Sequence, residues 1–166
     1  MVVPVPALPD VIDLWRERTC IFKPSAGVPP HITLAFPFVP VARVTDSLIA
    51  ELSDLFREER DPFTFTFREL RRFPTTLYLA PDPPEPFESL SEALADHYPE
   101  CEPNVHAFGE VVPHLTVAEG GAAVMDAAES EIEPLLPIHA SCESAALLVE
   151  THASPTHWST RVRLPL

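Results

Sequence analysis

A chain of 166 residues and 18.4 kDa has one domain's length, enough to bury roughly two thirds of its unfolded surface, which excludes large multidomain schemes. With 46% hydrophobic and 22% charged residues and a mean hydropathy of +0.08, it carries too much apolar mass for a disordered tail, and a soluble globular protein is expected. Of the net charge of −14, residues 84–166 carry two Lys/Arg against fourteen Asp/Glu while residues 1–83 are nearly balanced, and such a surface disfavours sequence-independent binding to duplex DNA or RNA.

The start, Met1 to Pro9, lacks the basic region of a signal peptide and is broken by Pro4, Pro6 and Pro9, so secretion is disfavoured. Asp10 to Arg18 carries Val11, Ile12, Leu14 and Trp15, the pattern of a short amphipathic helix. Pro24 to Pro30 reads as a loop, and His31 to Phe38 as a strand closed by Pro40. Pro37 and Pro40 also interrupt the most apolar run, Ile32 to Ala42, well short of the roughly 18 residues that cross a bilayer, so no membrane partner is expected. Asp46 or Ser47 caps a second helix through Leu48, Ile49, Leu52, Leu55 and Phe56, ending near Asp61-Pro62.

Phe63 to Arg68 alternates strictly, with Phe63, Phe65 and Phe67 on one sheet face and Thr64, Thr66 and Arg68 on the other. Thr75 to Ala80 is its neighbour, and Pro81 to Pro86 a rigid linker. A third helix holds Phe87, Leu90, Leu94 and Tyr98, followed by a loop rich in proline and acid. Pro113 to Ala118 reads as a strand, Ala122 to Leu136 as a helix, and Ile138 to Val149 and His157 to Leu164 as closing strands. Strand, helix, strand thus occurs twice without a clean βαβα alternation, which predicts an α+β class. No glycine-rich phosphate loop is present, so dinucleotide and P-loop chemistry are unsupported. Cys20, Cys101 and Cys142 are odd in number and lack a C-x-x-C spacing, which suits packing residues in a reducing cytoplasm.

The strongest signal is a repeated tetrapeptide, His31-Ile32-Thr33-Leu34 and His114-Leu115-Thr116-Val117, preceded each time by proline, Pro30 and Pro113. In a strand, residues i and i+2 share a face, so His31 and Thr33 project together while Ile32 and Leu34 enter the core. If the two halves are related by an approximate twofold axis, two imidazoles and two hydroxyls meet in one groove. That set suits in-line displacement at phosphorus, in which a base deprotonates the attacking oxygen and an acid protonates the leaving one. Histidine does either near neutral pH, and threonine hydroxyls donate hydrogen bonds to phosphate oxygens. The scheme requires no metal.

At these residues the sequence resembles the 2H phosphoesterase superfamily, and within it the bacterial 2′-5′ RNA ligase / 2′,3′-cyclic phosphodiesterase family. The likeness extends to the Pro-rich start, Leu77 to Pro81, Phe87 to Leu94 and Trp158 to Leu166. It implies a bilobal, pseudo-twofold fold of two antiparallel-sheet lobes around a central groove with helices outside, the lobes being approximately 1–83 and 84–166 with terminal strands exchanged. It further implies His31, Thr33, His114 and Thr116 as catalytic residues, acting on 2′,3′-cyclic phosphates or 2′-phosphodiesters without metal or nucleotide cofactor. Members also form 2′-5′ RNA linkages reversibly and without ATP.

Basic residues that could flank the groove are few: Lys23, Arg68, Arg71, Arg72, Arg161 and Arg163. A small nucleotide or a cyclic-phosphate RNA terminus is therefore the expected substrate partner, and a monomer the expected state. Zinc on His31, His114 and one of His97, His106, His139, His152 or His157 lacks any metal-ligand spacing. His106 is the histidine nearest the second motif, with a solvated or core-satisfied loop position as its default. Arg68, Arg71 and Arg72 read as a solvated hairpin edge, and Tyr78, Trp15 and Trp158 as packing residues. A nucleotide-binding module with a spent site and a structural interaction domain are the alternatives to an enzyme.

Overall fold

The computed structural model describes residues 1–101, 112–151 and 156–166. Its elements run β1 (Val2–Pro4), α1 (Asp10–Thr19), β2 (His31–Thr33), α2 (Asp46–Glu59), β3 (Phe63–Phe73), β4 (Thr76–Asp82), α3 (Glu85–His97), β5 (Leu115–Glu119), α4 (Ala122–Ile132), β6 (Ile138–Cys142), β7 (Ser144–Thr151) and β8 (His157–Pro165). The class is α+β, with two antiparallel sheets of order β2-β1-β7-β8 and β5-β4-β3-β6. Each sheet draws strands from both halves of the chain: β1 and β2 join β7 and β8 through the β1–β7 pair, while β4 pairs with β5 and β3 with β6. The two motif-bearing strands, β2 and β5, are terminal in their sheets and pack against each other.

Local sequence explains most of these elements. The alternating phenylalanines of β3 face the core, Phe67 fully buried, and the Phe65 ring lies 4.9 Å from Phe87 of α3 in an edge-to-face contact. Leu48, Leu52 and Phe56, every fourth residue of α2, are buried together. The cap of α2 is Thr45 rather than Asp46 or Ser47, because Thr45 Oγ1 accepts from the Leu48 amide at 3.2 Å.

Several boundaries differ from expectation, each for a physical reason. The strand from His31 ends at Thr33, not Phe38: the amides of Leu34 and Ala35 both donate to Met1 O, at 3.0 and 3.2 Å, and Pro37 has no N–H with which to resume a ladder. β3 runs past Arg68 to Phe73 through a bulge between Phe67 and Glu69, which resets the alternation. Pro81 and Asp82 belong to β4 and Pro86 to α3, so the linker is shorter than the proline spacing predicts. α4 stops at Ile132 and tightens into a 3₁₀ turn over Glu133–Leu135, where Pro134 cannot donate to the helix ladder. Ile138 to Val149 is two strands that divide at Glu143 and enter different sheets. Most of the loop before the second motif, with His106, lies outside the described residues, as does His152.

Candidate active site

The repeated motif has the same local structure at both positions. Ile32, Leu34, Leu115 and Val117 are buried, while His31, Thr33, His114 and Thr116 are half-buried. All four polar residues line one cavity of about 770 Å³. β2 is held by β1, with Pro4 opposite His31 and Val2 opposite Thr33. β5 is held by β4, with Tyr78 opposite Thr116.

The imidazoles are anchored alike. His31 Nδ1–H donates to Pro29 O at 2.8 Å, and His114 Nδ1–H donates to Val112 O at 2.7 Å. A carbonyl oxygen only accepts, so the neutral rings carry their proton on Nδ1 and proton transfer falls to Nε2. The prolines before each histidine take part in this geometry: Pro30 and Pro113 restrict Pro29 and Val112 to extended backbone, which fixes the acceptor two residues before each ring.

The two rings differ in their surroundings. Burial pushes His31 down to about 4, with Arg16, the Met1 amino group and His114 acting in the same direction and the Pro29 bond opposing them. His31 is therefore neutral at physiological pH. Arg16 is 2% exposed. Its Nη2 donates to Phe22 O at 3.1 Å, Val28 O at 3.4 Å and Pro29 O at 3.2 Å, and its Nη1 to Asp13 at 3.3 Å. On the opposite wall the His114 ring lies 5.2 Å from Phe73 and 5.3 Å from Tyr78, which stack on each other at 4.4 Å. Tyr78 is 5% exposed and packs behind the histidine.

Among the described residues, the charged side chains lining the cavity are Arg16, Glu119 and Glu150. Lys23, Arg68, Arg71, Arg72, Arg161 and Arg163 are not on its wall. Lys23 pairs with Glu17, Arg68 with Asp82, Arg71 with Glu69, and Arg72 with Asp126 and Glu129. Among the described residues no group of three or more His, Cys, Asp or Glu side chains is placed to hold a metal ion.

Trp158 is not the simple packing residue its sequence suggests. With Phe22 and Phe36 it forms an aromatic cluster on the cavity wall, with centroids 5.5, 5.9 and 6.0 Å apart and planes inclined by 60° to 81°. Phe22 and Phe36 are each 38% exposed. These rings come from three separate segments, so no local pattern announces them. Arg16 does leave a trace in the sequence: it follows Ile12 by four residues and so shares the buried face of α1. Trp15, by contrast, donates its indole N–H to Glu131 at 3.1 Å.

The model of the 2′-5′ RNA ligase superfamily matches residues 3–153. A Bacillus pumilus protein named "Putative phosphoesterase" is 32% identical over 123 residues, and a similarly named Bacillus licheniformis protein is 29% identical over 120 residues. Each alignment covers 70% of this chain and 66% of the relative, so the match spans just under two thirds of their length. Among solved structures, E. coli LigT complexed with 3′-AMP superposes with a TM-score of 0.60 at 21% identity, covering 99% of this chain and 97% of LigT. The LigT complex with NADP+ gives 0.59 at 21% identity, covering 99% and 96%. At that identity the likeness to LigT is one of fold. The match of the family model over nearly the whole chain carries the assignment further: this protein belongs to the 2′-5′ RNA ligase superfamily, the 2H phosphoesterases.

Proposed function

We propose that the protein is a metal-independent phosphodiesterase that hydrolyses 2′,3′-cyclic phosphates of nucleotides or RNA ends. The observation that carries this reading is the duplicated geometry: two terminal strands meet with one histidine and one threonine each on a shared cavity, and each imidazole is oriented through the same Nδ1 bond. His31, held neutral, takes the proton of the attacking water through Nε2. The water oxygen bonds to phosphorus, one of the two P–O bonds to the ribose breaks, and His114 supplies the proton to that ribose oxygen. Thr33 and Thr116 donate to the non-bridging oxygens where charge builds up.

The cavity also supports a substrate class. The Phe22, Phe36 and Trp158 rings offer a surface for a planar base. Glu119 and Glu150 on the wall, and the shortage of basic groups around it, disfavour a long polyphosphate chain. The substrate is thus a small nucleotide or a short cyclic-phosphate terminus, and the protein works as a monomer. The three buried, unpaired cysteines suit the cytoplasm.

The test is turnover of nucleoside 2′,3′-cyclic monophosphates by EDTA-treated protein. A nucleoside monophosphate product is expected, with His31→Ala and His114→Ala each lowering the rate by about 10² or more. Unchanged turnover in both variants rejects the assignment. The superfamily's description as 2′-5′ RNA ligase supports a second reading, 2′-5′ ligation, which we take as reversible and ATP-independent. Incubation with cleaved RNA ends and with 2′-5′ linked dimers separates the two. Tight nucleotide binding without product indicates a binding module instead.

A further inference from the structure

We propose that Arg16 is a positioning residue for His31, acting through the carbonyl oxygen of Pro29 and tying the reactive histidine to the aromatic wall. The inference rests on the reading of His31 as the base. A guanidinium buried this deeply is costly unless its donors are satisfied, and here three of its bonds go to backbone carbonyls between α1 and β2. The Pro29 oxygen accepts from Arg16 at 3.2 Å and from His31 at 2.8 Å. One sp² oxygen has two lone pairs, so both bonds coexist. The acceptor cannot swing away from the imidazole without also breaking the bond to Arg16.

The same Nη2 holds the Phe22 carbonyl, so one planar group sets both the ring that transfers the proton and a ring proposed to contact the base. A lysine ammonium has no second nitrogen to reach Asp13 while the first holds the three carbonyls, so it does not reproduce this set of bonds. The arrangement is also asymmetric between the two motifs. Arg16 is the one Lys or Arg on the cavity wall among the described residues, and its permanent charge acts on His31.

The other titratable groups around this pair leave Arg16 as the steady cation. From α1 itself, Asp13 bonds the guanidinium. Cys20, just after α1, is pushed up to about 11 by burial and is a neutral thiol. Glu119 of β5 acts on Arg16 through its charge. The Met1 amino group, which donates to Ala35 O at 2.7 Å, is lowered to about 5 by burial and is uncharged near pH 7. His114 faces His31 across the cavity.

The experiment uses the full chain with Arg16→Met and Arg16→Lys, read by imidazole ¹⁵N NMR, with His31→Ala identifying the His31 signals. In Arg16→Met two opposed changes act on the His31 midpoint, the lost charge raising it and the loosened Pro29 bond lowering it, so the tautomer is the deciding signal. The Nδ1–H tautomer of His31 should lose dominance, while kcat falls about tenfold. In Arg16→Lys, which keeps the charge but not the fork, the midpoint should stay low while the Nδ1–H population falls. If Arg16→Met does not fold, the tautomer signal of Arg16→Lys decides. An unchanged His31 tautomer in the folded variants overturns the proposal, whatever happens to the midpoint or to thermal stability. The NMR readout needs no substrate, so a wild type inert on cyclic phosphates defeats the proposed function separately, and the imidazole signals still judge Arg16.

Discussion

Gly27 lies so close to the start of β8 that a Cβ placed on it would be 2.0 Å from the carbonyl oxygen of Trp158 and 2.8 Å from Nε2 of His157. Its φ of +82° is also left-handed, a region in which a side chain costs about 1–2 kcal/mol. The Gly27 loop leads directly into Val28 and Pro29, two of the carbonyls held by Arg16. Gly27→Ala should therefore destabilise the protein by about 2 kcal/mol or more in denaturant unfolding. It should also lower kcat/KM, because displacement of the loop disturbs both His31 and the aromatic wall.

The wall itself predicts a split between binding and chemistry. Replacing Trp158 or Phe36 by alanine should raise KM for a cyclic nucleotide about tenfold, the scale of losing one base-stacking contact, and leave kcat within about threefold. A cyclic phosphate of a polyol without a base should show no such change. Of the two tryptophans, Trp158 lines the cavity and Trp15 does not. Nucleotide should thus quench the fluorescence of Trp15→Phe but not that of Trp158→Phe, and quenching in neither variant would argue against a base on this wall.

How much of this could be read from the chain depends on how local the information is. His31 and Thr33 alternate with Ile32 and Leu34, and His114 and Thr116 with Leu115 and Val117, so the polar face of each motif follows from strand periodicity alone. Leu48, Leu52 and Phe56 likewise declare their helix. The mixed run Ile138 to Val149, with His139, Ser141, Glu143 and Ser144 among its apolar residues, does not show that the chain changes sheet at Glu143, because both resulting strands are partly buried. The contacts of Arg16 depend on carbonyls that only tertiary folding brings together. Phe22, Phe36 and Trp158 are scattered, and a lone aromatic residue reads as core in each case.

The lowered pKa of His31 has a consequence for stability. Its folded value is about 4 against an ordinary 6.5, so between those pH values the unfolded chain binds a proton that the folded one does not. Stability from this group is complete above about pH 6.5 and is lost as pH falls toward 4. The loss approaches about 3 kcal/mol for a shift of this size, trimmed by cavity water because the ring is only half-buried. Urea unfolding from pH 7 to 4 should show a shallower slope in His31→Gln than in wild type. Equal slopes would mean that the ring protonates as readily when folded.

The threonines provide a test of phosphate contact that spares the fold. Thr33→Val and Thr116→Val keep shape while removing the hydroxyl from half-buried positions on the cavity side of β2 and β5. Each should reduce kcat by about 10²-fold, the scale of one lost donor to a developing oxyanion, with stability changed by no more than about 1 kcal/mol. Thr→Ser at either position should restore most of the rate, since the donor returns without the methyl group. A loss that serine does not rescue would assign the threonines to packing.

Charge predicts an unusual response to salt. Proteins that grip nucleic acid through basic residues bind more weakly as salt rises, because counterions released into a more concentrated solution gain less entropy. Here the net charge is −14, and the cavity wall carries Glu119 and Glu150 alongside one buried guanidinium, bonded to backbone carbonyls, among the described residues. Each added phosphate of an oligonucleotide meets repulsion that salt screens, with a Debye length of about 30 Å at 0.01 M falling to about 8 Å at 0.15 M. Between those concentrations kcat/KM for a cyclic-ended oligonucleotide should rise severalfold relative to that for the mononucleotide. A fall with salt would show that the oligonucleotide is held by basic groups, and would move the preferred substrate from small nucleotides to RNA.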